Sequence, residues 1–222
     1  MGIDDSPWTV DSTVTVPAGV TLTIEEGVRI DFEDGTGIVV DGGRMIANGR
    51  EAAPVVFGRP AGSTHTWDGF VFEDTLEDNR LSHFVMEYGD DAGQSIEVTR
   101  ARLTIQFGDW PTTEETMIEL DEPSVIIEDS AIPGISGGEV IHGKDLVAPG
   151  WLILRRNTFG EASNGGDVID FTGAEAPGPV LQVIDNVFIG GDDDGLDLDG
   201  TDAFVSDNIF MNFRKEESNN RA

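Results

Sequence analysis

Residues 180–188 read VLQVIDNVF, and the same pattern stands three more times: SVIIEDSAI at 124–132, WLILRRNTF at 151–159 and DAFVSDNIF at 202–210. Each copy is a short run with apolar residues at alternate positions, closed by a polar corner. A period of two is the signature of a half-buried strand. Aligning the corners stacks Asp129, Asn157, Asn186 and Asn208, at steps of 28, 29 and 22 residues. A second set runs between them: EVIHGK at 139–144, DVIDFT at 167–172 and DGLDLD at 194–199, at steps of 28 and 27. Two interleaved columns with a period of roughly 20–30 residues predict a solenoid. In such a fold each coil gives one strand to each of several parallel sheets, and like residues stack about 4.8 Å apart.

The same alternation runs through the first half, in STVTV (12–16), VRIDFED (28–34), WDGFVFED (67–74) and RLTIQFGD (102–109). Gly, Pro, Asp and Asn separate the runs, and no stretch of useful length keeps a helical period, so the chain is all-β. TVTVPAGVTLTIEEGVRIDF (13–32), PVVF (54–57), WDGFVFED and NRLSHFVMEY (79–88) resemble secreted right-handed parallel β-helix proteins of the pectate-lyase-like fold. DDGLDLDGTDAFVSDNIF (193–210) resembles the later coils of that group. The resemblance covers nearly the whole chain. It implies one β-helix domain over residues 1–213, of about eight or nine coils, and a polar tail, RKEESNNRA, at 214–222. It also implies that WTVDSTVTV (8–16) begins or caps the stack, and that the protein is secreted or displayed at a cell surface. The likeness is one of scaffold, and that scaffold carries many functions.

Composition narrows the partners. The chain has 43 Asp and Glu against 13 Lys and Arg, a formal net charge of -30, and Lys144 and Lys215 are its only lysines. Such a surface repels nucleic acid and anionic membranes, so neither is an expected partner. It suits high salt or abundant divalent cation, where self-repulsion is screened, as in a halophilic protein. No Cys is present, which rules out disulfides and thiolate sites. No apolar run approaches the roughly 20 residues of a membrane span. MGIDDSPW lacks the basic and apolar regions of a signal peptide, so the start reads as that of a mature or trimmed segment, and the protein as a monomer or part of a longer chain.

The alternation also assigns faces. Ile141, Ile169 and Leu196 point inward in one column, and Gly143, Phe171 and Leu198 in the next. The residues between them point out, which lines up His142, Asp170 and Asp197, with Lys144, Thr172 and Asp199 beside them. Asp167 and Asp194 fall at the preceding bend. Carboxylates on neighbouring coils approach to about 5 Å and repel strongly, so either one holds a proton or a hard cation bridges them. Oxygen ligands at this density favour calcium, with Asp167, Asp170, Asp194, Asp197 and Asp199 as the candidate metal ligands and the loop Asp192–Asp194 as a further source of oxygens. The sequence matches neither an EF-hand loop nor the glycine-rich calcium repeat. A solvated acidic face is the plainer alternative.

Two functional classes follow. The preferred one is a non-catalytic extracellular module whose acidic, cation-binding face contacts polysaccharide or a surface protein. The alternative is a polysaccharide lyase or glycoside hydrolase with its groove on the Asp170/Asp197/Asp199 face. A lyase needs a cation and a base, for which Lys144, His142 and Arg156 are the candidates. An inverting hydrolase needs two carboxyls about 6.5–9.5 Å apart, for which Asp170 with Asp197 or Asp199 is the candidate pair. The arginine motif RxPxxR of pectate lyases and the GHG and RIK of polygalacturonases are missing, and the inserts are short, the longest near GDWPTTEET (108–116). The asparagine corners read as backbone caps, and Glu128, Arg156 and Asp185 as a surface ion-pair ladder. Trp67, Trp110 and Trp151 read as core or corner plugs, while His65 and His83 lie in separate coils without a ligand set.

Overall fold

The computed structural model describes residues 1–213; the expected tail at 214–222 lies outside them. Its described residues contain no α-helix, only a 3-10 turn at Ile3–Asp5 and strands of two to eight residues. The strands stack in parallel into a β-solenoid of about eight turns. One sheet has seven strands, from Val14–Pro17 through Gly37–Asp41, Gly69–Glu73, Gln94–Thr99, Thr116–Asp121 and Ile141–Lys144 to Ile169–Thr172. The other has fifteen and wraps the rest of each coil. WTVDSTVTV does begin the stack: Trp8–Val10 pairs with Ile30–Phe32, and Val14–Pro17 with Ile38–Asp41.

Inside the coils the alternating side chains form one continuous core from Val10 to Phe188. Ile141 pairs with Ile169, and the bridge from Asp170 to Asp197 sets Leu196 on Ile169, so the expected interior column stands. In the next column Gly143 lies between Leu120 and Phe171. A Cβ there would come within 2.8 Å of the Leu120 Cβ and 2.9 Å of the Phe171 ring, so the missing side chain is what admits the ring. Trp67 and Trp110 are fully buried. Trp67 stacks on Phe32 at 4.0 Å and 8°, and Trp110 meets Phe84 edge-on at 5.0 Å. Trp151 differs: it stands half-buried on the outer face under the Arg102 guanidinium, 5.2 Å from its ring centre.

Two columns of left-handed residues turn the chain at the same place in successive coils. One holds Asp74, Arg100, Glu122 and Asp145, with φ between 47° and 58°. The other holds His83, Phe107, Asp129, Arg156, Asp185 and Asp207. Asp tolerates this region because its short side chain bonds locally; Phe107 does not, and its φ of 52° is strained. Its exposed ring stacks on His83 at 4.2 Å.

This second column corrects the corner alignment by one residue. Glu128 pairs with Arg155, which places Asp129 opposite Arg156 and Ser130 opposite Asn157. The buried ladder is therefore Ser130, Asn157, Asn186 and Asn208. Each backbone N–H donates to the Oδ1 of the next coil: Ser130 to Asn157 at 3.1 Å, Asn157 to Asn186 at 2.9 Å and Asn186 to Asn208 at 2.8 Å. Each Asn amide then donates back to a carbonyl of the preceding coil, Ile127, Leu154 or Val183. Glu128 is not a surface charge either: it is 6% exposed and accepts from Arg155, Arg156 and Gln106. Burial pushes its carboxyl up, but these three donors outweigh that and hold it below its ordinary value.

Candidate functional site

The outer face of the seven-stranded sheet is where the acidic columns stand. Strand pairing carries the first column through Glu97, Glu119, His142, Asp170 and Asp197, one residue per coil. The second runs through Asp41, Glu73, Thr99, Asp121, Lys144 and Thr172. Asp199 lies two residues beyond Asp197, in line with it. The expected grouping of His142, Asp170 and Asp197 is thus in place, and the columns reach further back than the repeats indicated. Glu73, Glu97, Glu119 and Asp121 were missed because the repeat alignment began only at residue 124, although Glu119-Leu120-Asp121 has the same acid-x-acid spacing as Asp197-Leu198-Asp199. The alternation itself points them outward and was the signal available.

His142 is the histidine rung of this column, set between carboxylates. Its Nδ1 lies 2.8 Å from both Glu119 carboxylate oxygens, and its Nε2 is 4.0 Å from Asp170 Oδ2. Burial works against a charged imidazole, but Glu119, with Asp170 and Glu139, outweighs it and raises its pKa. This shift favours the protonated imidazole, the form that cannot accept a proton. Lys144 Nζ faces Asp121 Oδ2 at 3.5 Å. Arg156 is absent from this face: it sits on the opposite sheet, bonded to Asp129 at 2.7 Å and to Glu128 at 2.8 Å.

The aspartates of residues 192–202 divide by role. Asp192 Oδ2 accepts the Asn164 N–H at 3.2 Å, and Asp202 Oδ2 the Ala176 N–H at 2.9 Å, so both hold backbone at bends. Asp167 Oδ1 accepts the Asp194 N–H at 2.9 Å. Asp167, Asp193 and Asp194 bring one carboxylate oxygen each within 4.8 Å of one another, at the bend leading into the acidic sheet. Asp170, Asp197 and Asp199 stand beside that trio on the sheet face. Burial, then Asp193, Asp197 and Asp194, push Asp167 up to about 6, against the pull of the Asp194 N–H. Asp197 is raised by burial and by Asp199, Asp170 and Asp194.

A stability prediction follows from Asp167. A carboxyl whose folded pKa lies above its ordinary 3.8 keeps its proton in the native state, so ionisation destabilises the fold as pH rises through about 6. Without divalent cation, Asp167→Asn should be more stable than the parent at pH 7.5. About 1–2 kcal/mol is expected after allowing for solvent screening. The gain should vanish near pH 4, where both carry no charge there. Urea unfolding in chelator at the two pH values checks this, and a less stable mutant at pH 7.5 would refute it.

A cleft of about 860 Å³ lies away from these columns, at the corner between the sheets where Pro111–Glu115 faces Arg59, Tyr88 and Asp91. The Arg59 guanidinium covers the Tyr88 ring at 3.5 Å. It is built by the GDWPTTEET insert, several coils before Asp170. Among the described residues the longest insert therefore borders this corner, and not the Asp170/Asp197/Asp199 face. No protein-family model matches the chain, and no curated protein or solved structure is significantly similar to it.

Proposed function

We propose that the chain is a non-catalytic extracellular β-helix module that binds calcium on its acidic face and through it contacts polysaccharide or a surface protein. The observation that carries this reading is the stacking of Asp170 on Asp197 beside the Asp167, Asp193 and Asp194 trio. Coil spacing forces these carboxylates together, and a hard divalent ion with six to eight oxygen ligands relieves the repulsion without demanding rigid geometry. Asp167, Asp193 and Asp194 would hold the ion, with Asp170, Asp197 and Asp199 completing the anionic surroundings. A bound ion with open coordination positions recruits hydroxyl or carboxylate oxygens of a glycan or an acidic protein.

Calorimetric titration with calcium tests it. Saturable binding is expected, together with a higher melting temperature, since a ligand at a hundred times its Kd adds about 2.7 kcal/mol. Asp197→Asn should weaken calcium binding and should cost stability only when calcium is present. Equal affinity in parent and mutant would leave a plain solvated acidic face. Turnover of uronate polymers, with or without calcium, would overturn the non-catalytic reading in favour of a lyase or hydrolase.

A further inference from the structure

The cleft at the corner between the sheets is braced by bonds that cross from coil to coil. It spans three coils in the middle of the stack, with Arg59 and Thr66 in the first, residues 88–93 in the second and residues 111–115 in the third. The Tyr88 N–H donates to Thr112 Oγ1 at 2.8 Å, the Glu114 N–H to Asp90 Oδ2 at 2.9 Å, and the Thr66 hydroxyl to Asp91 Oδ1. The walls are thus fixed to one another around an open space. Its volume, about 860 Å³, falls in the range of small-molecule sites, roughly 300–1,000 Å³.

Two charges in this cleft lack an answering charge. Arg59 lies on the Tyr88 ring and gives its Nη1–H to the His65 carbonyl at 2.6 Å. Among the described residues it pairs with no carboxylate, although Asp90, Asp91, Glu114 and Glu115 line the same cleft. Asp90 is the reverse case. It is only 6% exposed, and its carboxylate receives one hydrogen bond, from the Glu114 N–H to Oδ2, so Oδ1 is left to the cleft that it lines. A carboxylate so deeply buried normally collects a cation or several donors. A guanidinium and a buried carboxylate that share a cleft without meeting suit a ligand that carries both opposite charges.

That condition sorts the ligand classes. A metal ion is unsuited, because among the described residues three carboxylate oxygens converge within 4.8 Å only at Asp167, Asp193 and Asp194. A neutral sugar answers neither charge, and a uronate answers Arg59 alone. A polyamine answers the acids but repels Arg59. An α-amino acid answers both, with its carboxylate on Arg59 and its ammonium on Asp90 and Asp91, through charge-assisted bonds about twice as strong as neutral ones. The exposed Glu114 and Glu115 leave the cleft with an excess of negative charge, which selects a cationic side chain. We infer that this cleft is a binding site for a free basic α-amino acid, lysine or arginine. The site is separate from the acidic face and does not depend on calcium there.

Calorimetric titration of the full chain with L-lysine and L-arginine, at fixed ionic strength, tests it. Saturable one-to-one binding is expected. Nα-acetyl-lysine, which lacks the ammonium, and cadaverine, which lacks the carboxylate, should each bind about tenfold or more weakly than lysine. Glutamine should bind about two- to fivefold more weakly, the size of an exposed ion pair. On the protein side Arg59→Gln should remove the preference for lysine over cadaverine. Asp90→Asn, whose side-chain oxygen still accepts the Glu114 N–H, should weaken lysine binding about tenfold. Melting curves of the two variants separate a lost site from a lost fold, and the ligand analogues probe the parent protein directly. Saturating calcium should leave lysine bound, which distinguishes this site from the acidic face. Absence of saturable binding, or cadaverine, glutamine or D-galacturonate binding as tightly as lysine, overturns the inference. So does calcium that displaces lysine, because the amino acid then sits on the acidic face.

Discussion

Asn186→Leu should cost about 3–5 kcal/mol, the largest loss expected from any single polar side chain here. Asn186 is fully buried and works in both directions. Its Oδ1 accepts the Asn157 N–H at 2.9 Å and the Asn157 amide at 3.1 Å, while its own amide donates to Leu154 at 2.9 Å and to Asn208 at 3.0 Å. Leucine fills much the same volume but leaves the Asn157 N–H and the Leu154 carbonyl stranded in the core, at about 1–3 kcal/mol each. For a chain of this length the melting temperature should fall by about 10 °C. Asn208→Leu is the internal control: that rung is only half-buried, water can replace its bonds, and the cost should be well under half as large. If the two substitutions cost the same, or if Asn186→Leu costs under about 1 kcal/mol, the ladder is not what fixes this corner.

Trp67→Ala should be comparably damaging, through packing instead of hydrogen bonding. The indole lies flat on Phe32, tilts against Phe70 at 5.4 Å and donates its Nε1–H to the Glu87 carbonyl at 2.7 Å. Truncation opens a cavity between coils whose backbones are held at fixed spacing and cannot close it, so about 3–5 kcal/mol is expected. Trp67→Phe restores most of the ring contact and loses only the hydrogen bond, so it should recover more than half of the loss. Urea midpoints of the three proteins decide the matter. A tolerant Trp67→Ala would mean that this coil relaxes independently of its neighbours.

Most of the fold was legible because a β-solenoid writes its geometry in two periods at once. The residue-by-residue alternation assigned faces, and the coil-length repeat assigned neighbours, so Ile141, Ile169 and Leu196 could be stacked from the sequence. The corner was misread by one position for a physical reason. Asp129 looks like Asn157 as a turn residue, yet the job of the buried rung falls to Ser130, whose hydroxyl accepts the Gly108 N–H and donates to the Glu128 carbonyl. Matching polar with polar cannot tell a left-handed corner residue from the ladder residue next to it. The acidic face was legible where Asp-x-Asp spacing concentrates it, and illegible where a single acid such as Glu97 joins the column only through strand register. The division of labour within residues 192–202 was not legible at all, since Asp192 and Asp202 spend their carboxylates on backbone N–H groups that only the folded chain brings near.

The in-register column of the seven-stranded sheet also makes valence a matter of counting. Because each coil contacts only its neighbours and repeats the same turn, duplication of one segment of 27 or 28 residues inserts a whole coil without disturbing the rest. Such an event lengthens the sheet face by one side chain per column at unchanged spacing. Loss of a coil shortens it by the same step. If the face binds a long polymer as proposed, the number of contacts would change by integers, leaving each individual contact as it was.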